Sequence, residues 1–312
     1  MNNVIEKIEK ISHRQLENEV ITRNIIKKIL KENNIKFIEN LFDTSIPKPL
    51  EWYLIVAGQK IECYPSCLES GKIENRNFVI YDNFLDDMDK NVVNINYSSK
   101  TDSISVATHF YKHAITVSRK DINFIRSNID KVYGSVIIEK KDVVAGQILV
   151  GNKTNPKNIL FSHYDSIKDG FIDNLSGTYL LLKIIIDNPD LLDDNLFVFD
   201  GNEELSYDKP YYWGHGYRIF EKKYDKIMET SKRIFVADCI GHSDLEIIRD
   251  DEILCEGFPV VNLEKYKHKI EMVSGNFDKL MEFYHSDEDI KEKFHLQYFL
   301  SAYDYLIKEL RK

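Results

Sequence analysis

Along residues 4–33 the apolar positions Val4, Ile5, Ile8, Ile11, Leu16, Val20, Ile21, Ile25, Ile26 and Leu30 recur at mixed spacings of three, four and five. That pattern predicts one or two amphipathic helices, with Asn33-Asn34 as the stop and Ile35 to Leu41 as a strand. From about Glu51 to Asp142 the pattern changes to short apolar runs between turn residues. These runs are Trp52–Ala57, Phe78–Tyr81, Val92–Tyr97, Ile104–Thr108, Ala114–Val117 and Val136–Ile138. They predict a β-rich unit, with one short helix over Asp121–Asn128 after a Ser118 cap.

The second half alternates differently. Asn158–His163, Leu196–Asp200, Arg233–Asp238 and Phe258–Asn262 read as four buried strands. Between and after them, Ser176–Ile186, about Tyr212 to Glu229, and Leu296 to Leu310 carry helical spacing. Strands alternating with helices predict an α/β architecture, a mostly parallel central sheet covered on both faces. In such sheets functional groups collect at the carboxyl ends of the strands.

Composition narrows the class. The chain has 312 residues, 43% of them hydrophobic and 12% aromatic, enough for a packed core in one large domain or two modest ones. Lysine and arginine number 42 against 51 acidic residues, a net charge of −9, so no basic face for nucleic acid is expected. The longest apolar run, Tyr179 to Ile186, is broken by Lys183 and too short for a membrane span. Met1 to Lys10 lacks the apolar core of a secretory signal, so a cytoplasmic location is expected. Cys63 and Cys67 form a single C-x3-C pair, and Cys239 and Cys255 stand alone. A thiolate zinc site needs four ligands in paired spacings, so buried reduced thiols are expected.

Polar clusters punctuate the predicted strand exits. They are His163-Tyr164-Asp165; Asp173-Asn174-Leu175-Ser176-Gly177; Asp200-Gly201-Asn202-Glu203-Glu204; Asp238; and Tyr284-His285-Ser286-Asp287-Glu288-Asp289. Each alone has an ordinary explanation as a cap, a turn or a solvated pair. Together they supply imidazole and carboxylate, the ligand mixture of a catalytic zinc site. Three carboxylates and two imidazoles against two divalent cations leave about +1. One carboxylate must bridge ions roughly 3.5–4 Å apart. Adjacent glutamates then provide one ligand and one base that is not a ligand.

Read as a set, these motifs resemble the co-catalytic dizinc aminopeptidase family, which includes bacterial leucyl aminopeptidases and glutamate carboxypeptidase relatives. Its pattern is H-x-D, D-N-x-S-G, E-E, a D after an apolar strand, and a late Y-H-[ST]-x-x-D. The likeness covers roughly residues 155–310, with the N-terminal helix compatible. It implies a three-layer zinc-exopeptidase-like fold. His163 and Asp238 would bind one zinc, Glu204 and His285 the other, and Asp173 would bridge both; other divalent metals would also suit. Asp165 would accept a hydrogen bond from His163, and Glu203 would take the proton of the bridging water. The implied activity is removal of N-terminal residues from peptides.

The β-rich middle resembles, at Tyr64-Pro65-Ser66 and Ala114–Asp121, the protease-associated domain inserted in many such enzymes. The expected organisation is therefore a catalytic domain split over 1–50 and 143–312, with an insert at 51–142. The insert would shade the site, mediate self-association into a homo-oligomer, or decorate. Where relatives carry a glycine-rich segment after the second glutamate, this chain has Leu205 to Pro210. Tyr211, Tyr212, Trp213 and His215 are expected to pack rather than bind, and His242 to be structural. Two alternatives share the fold: a single-zinc acyltransferase of the glutaminyl-cyclase type, and a non-catalytic receptor or scaffold. The second usually loses ligands, whereas all five ligands and the base are present here. A phosphoesterase would need a basic phosphate-binding cluster, which the sequence does not show.

Overall fold

A computed structural model describes residues 2–312, with side chains from Glu6 onward; Met1 and the side chains of Val4 and Ile5 lie outside the described residues. The chain divides into two compact units, residues 1–44, 143–280 and 289–312 in the larger, and 45–142 with 281–288 in the smaller.

The larger unit begins with α1 (Asn2–Glu9) and α2 (Glu17–Glu32), so the N-terminal pattern resolves into two helices. In α2 the residues Thr22, Arg23, Ile26, Ile29 and Leu30 turn inward at helical spacing. Glu17 sits in its first turn and Lys31 in its last, each matching the helix dipole. The helix stops where the Asn33 N–H reaches the Ile29 and Leu30 carbonyls and Asn34 adopts φ 57°, a left-handed conformation that Asn tolerates.

The sheet of this unit uses the 37–44 part of β1 (Phe37–Val56), the 143–151 part of β2 (Val132–Gly151), β3 (Asn158–His163), β4 (Asn195–Asp200), β5 (Arg233–Ala237), β6 (Glu246–Ile248) and β7 (Ile270–Ser274). Their spatial order is β6-β7-β5-β3-β4-β2-β1. The four central strands β7, β5, β3 and β4 run parallel, while β6 and β2 flank them antiparallel. The sheet is therefore mixed, where the sequence pattern suggested a mostly parallel one. Of the central strands, β3 and β4 are buried at every residue, whereas the run of β7 is broken by Glu271.

Helices α3 (Ser176–Asp187), α4 (His215–Thr230) and α5 (Leu296–Leu310) pack in this unit. Phe161 of β3 lies within 5.8 Å of Tyr217, 4.8 Å of Phe220 and 5.0 Å of Phe258, ring to ring. Tyr179 of α3 stacks on Phe299 of α5 at 4.7 Å. Phe258 thus belongs to the core, yet Phe258–Asn262 is not the fourth strand that the pattern suggested. Pro259 offers no N–H, and Val260 turns back to donate to the Phe258 carbonyl. The fourth parallel strand is β7.

In the smaller unit, a four-stranded sheet runs in the order Cys63–Pro65, Ala114–Val117, Asn94–Tyr97, Val79–Asp82. Its core gathers Leu54, Ile73, Ile95, Phe110, Ile115 and Ile125. Ser118 accepts the Lys120 N–H ahead of the short helix Ile122–Ser127. The run Ile104–Thr108 forms no strand; Val106 instead donates its N–H to the His285 carbonyl at 3.0 Å. All four cysteines are free, but only Cys67 and Cys239 are buried: Cys63 is half-buried, and Cys255 is exposed, because it follows buried Leu254 around the helix Asp251–Gly257. No helix among the described residues is long and apolar enough to cross a membrane.

Candidate metal centre

Register sets the first residues. His163 ends β3 and Asp200 ends β4, paired directly across the parallel ladder. Asp238 follows the last residue of β5 and donates its N–H to Val273 of β7 at 3.0 Å. Asp173 lies in the loop that leaves β3 for α3.

These carboxylates surround one imidazole. His163 Nε2 lies 3.2 Å from Asp173 Oδ1 and 3.4 Å from Asp238 Oδ1. Its other nitrogen, Nδ1, faces Asp165, 3.3 Å from the backbone oxygen and 3.5 Å from Oδ1. Ligand atoms of His163, Asp173 and Asp238 all fall within 4.8 Å of one another, and so do those of His163, Glu203 and Glu204. All six side chains are buried, Asp238 and Glu203 the least at 8% exposed. Burial and the neighbouring Glu204, Asp165 and Asp238 charges push Glu203 well above the usual carboxylate range. Burial alone would lower His163, but Asp238, Asp165 and Asp173 hold it well above its ordinary value. Buried carboxylates crowding one histidine fit a divalent cation by donor chemistry: hard oxygens and one imidazole nitrogen, with Nδ1 backed by a carboxylate.

The D-N-x-S-G stretch serves Asp173. Asn174 Nδ2 donates to Ser162 Oγ at 3.1 Å and to the Ala237 carbonyl at 3.0 Å, while its Oδ1 takes the Gly177 N–H at 3.0 Å. Ser176 Oγ donates to the Ile172 carbonyl and accepts the Ile240 N–H. A Cβ at Gly177 would stand 2.4 Å from Asn174 Oδ1 and 2.5 Å from Ser162 Oγ, so only glycine lets α3 start this close to β3 and β5. Asp289, the last residue of the late motif, accepts the Ile172 and Asp173 N–H groups at 2.7 and 3.0 Å. Positive φ at Asn202 (60°) and Cys239 (52°) places strained backbone beside Glu203 and Asp238.

His285 lies in segment 281–288 of the smaller unit. Its Nδ1 is 3.1 Å from the Val106 carbonyl, its ring stacks on Tyr284 at 3.7 Å, and its φ is 49°. A carbonyl at Nδ1 favours the tautomer that leaves Nε2 as acceptor.

Several residues at the centre carried no motif signal. Gln15 Nε2 donates to Asp165 Oδ2 at 3.1 Å. Asp200, seen only as the start of the glutamate cluster, is fully buried, takes the Gln147 Nε2 bond at 2.6 Å, and is pushed well above the carboxylate range by burial. The aromatic group after Glu204 is a self-packed loop: Tyr211 and Tyr212 each lie 4.8 Å from Trp213, and Arg218 binds the Tyr211 and Trp213 carbonyls. His242 Nε2 meets the Asn276 carbonyl at 3.0 Å, the structural role expected of it.

No family model and no curated protein matches the sequence. Solved structures do resemble it. A zinc aminopeptidase from Bacillus subtilis superimposes with TM-score 0.67 at 13% identity, covering 97% of this chain and 92% of that one. A precursor of a family-M28 peptidase from Shewanella amazonensis gives 0.68 at 10% identity, covering 99% and 91%. A glutaminyl cyclase from Fimbriiglobus ruber gives 0.53 at 10% identity, covering 97% and 91%. At these identities the likeness is one of fold, and more than one chemistry uses that fold.

Proposed function

We propose that this chain is a zinc exopeptidase, and more specifically a two-zinc aminopeptidase that removes N-terminal residues from peptides. The observation that carries the reading is His163, with Nε2 aimed at Asp173 and Asp238 and Nδ1 backed by Asp165, all buried at the end of a parallel strand. In this reading His163, Asp173 and Asp238 hold one zinc. Glu204 and His285 would hold the second, with Asp173 shared. Bound zinc would supply Lewis acidity, polarising the scissile carbonyl and acidifying water. Glu203 Oε takes the proton from the attacking water and returns it to the leaving amine. Asp165 keeps the His163 ring and its tautomer fixed. Residues 51–142 form an insertion in the catalytic fold of 1–50 and 143–312.

The test is zinc content per chain, followed by hydrolysis of aminoacyl anilides by wild type and Glu203→Gln. Two zinc ions per chain are expected, with the variant keeping its metal and losing about 10²–10⁴-fold in turnover. A variant as active as wild type removes Glu203 from the mechanism. One zinc with cyclisation of N-terminal glutamine selects the acyltransferase chemistry instead, and absence of metal selects a scaffold.

A further inference from the structure

Resting on that reading of the centre, we propose that Arg14 is a positioning residue: it holds the 164–173 loop pre-formed, and thereby keeps Asp173 on His163 before any cation arrives.

Arg14 is 0% exposed and stands about 150 positions from the loop in sequence. Its Nε donates to the Tyr164 carbonyl at 2.9 Å, Nη1 to the Asp169 carbonyl at 2.6 Å and Nη2 to the Gly170 carbonyl at 2.5 Å. Its own backbone N–H donates to Ser166 Oγ at 3.2 Å. The flanking residues reach the same loop, His13 N–H to the Lys168 carbonyl at 3.1 Å and Gln15 Nε2 to Asp165 at 3.1 Å. One planar fork thus joins both ends of the excursion between two metal-binding residues, a geometry that a lysine ammonium on a flexible stem does not reproduce.

The loop needs such an anchor. It runs from His163 to Asp173 without a strand or helix until Phe171, and Gly170 takes φ 57° where a Cβ would stand 2.3 Å from the Asp173 carbonyl oxygen. Asp289 pins the far end through the Ile172 and Asp173 N–H groups. Arg14 also brings a buried positive charge near carboxylates. Burial lowers its pKa, while Asp289, Asp165, Glu204 and Asp173 act to raise it. Pre-organised ligands bind a cation more tightly because the ordering is complete before binding.

Two measurements test this. In the first, zinc affinity is read by chelator competition for Arg14→Ala and Arg14→Lys, with folding checked by circular dichroism. Both are expected to lose about 10–100-fold, as changes to groups behind metal ligands typically do. Guanidinium added to Arg14→Ala below denaturing concentrations is expected to restore part of the loss. A folded Arg14→Ala that binds zinc like wild type overturns the proposal, as does an Arg14→Lys variant that does so. The second measurement is amide hydrogen exchange of the metal-free wild type, which decides the matter if neither variant folds. Protection across Ser166–Asp173 equal to that of the zinc-loaded protein is expected; exchange at unstructured-chain rates without metal overturns the proposal. A wild type that takes up no zinc sinks the function proposed above, whereas exchange of Ser166–Asp173 at unstructured-chain rates would still overturn the pre-formed loop on which the role of Arg14 depends.

Discussion

Asp165 Oδ2 accepts the backbone N–H of Glu204 at 3.0 Å, so the side chain behind one proposed ligand also holds the backbone of another. Its Oδ1 takes the Glu203 N–H at 3.2 Å. From sequence, Asp165 was expected to act only on His163. The structure gives it a second task, fixing the turn that presents both glutamates.

Asp165→Asn tests that dual role. An amide keeps one oxygen but turns an NH2 toward a backbone N–H or the Gln15 amide, leaving at least one buried donor facing another. The expected outcome is a stability loss of about 1–3 kcal/mol by urea unfolding. Zinc affinity is expected to fall about 10–100-fold in chelator competition. Unchanged values in both assays would show that Asp165 orients nothing.

Gly177→Ala introduces a methyl 2.4 Å from Asn174 Oδ1, 2.5 Å from Ser162 Oγ and 2.6 Å from the Ala237 carbonyl. Two of these neighbours lie on β3 or at the end of β5, so relief must displace Asn174 and, with it, Asp173. A destabilisation of about 1–3 kcal/mol is expected from urea midpoints, accompanied by weaker zinc binding. Loss of stability with zinc binding intact would separate the helix start from the ligand.

Glu19 gives the protein a pH dependence. It is fully buried, accepts the Tyr164 hydroxyl at 3.2 Å, and is raised to about 8 by burial and then by the Asp165 charge. The unfolded carboxyl ionises near 4.5, so between there and about 8 the folded protein holds a proton that the unfolded chain has lost. Stability from this group is therefore complete at low pH and falls as pH rises through that window, by on the order of 4 kcal/mol. Urea midpoints of the metal-free protein at about pH 5 and about pH 8.5 are expected to drop more in wild type than in Glu19→Gln. An equal drop in both proteins would rule Glu19 out as the source.

Metal removal is expected to cost stability. Asp165, Asp173, Glu203, Glu204 and Asp238 are all buried around His163, and a divalent cation would offset their crowded charge more fully than the histidine does. Zinc at a thousandfold excess over its dissociation constant stabilises the folded state by about 4 kcal/mol. For a protein of this size that corresponds to a melting shift on the order of 10 °C between zinc-loaded and chelator-treated samples. Identical melting curves would count against any cation at this centre.

The sequence by itself determined the elements that local pattern can encode. The unbroken apolar runs of β3, β4 and β5 marked strands buried on both faces, and the helical spacing of 296–310 matched α5, because periodicity is a property of neighbouring residues. It also marked His163, Asp173 and Asp238, which stand at strand exits or in the loop leaving one. Tertiary structure decided what depends on distant partners. Pro259 and the Val260 turn removed a strand that composition alone favoured, and β7 took its place through pairing with β5. Arg14, Gln15 and Glu19 looked like ordinary members of a polar N-terminal stretch, since nothing nearby in sequence says that their partners lie some 150 positions away. Short-range patterning selects backbone shape, whereas the donors behind the proposed ligands are recruited by folding.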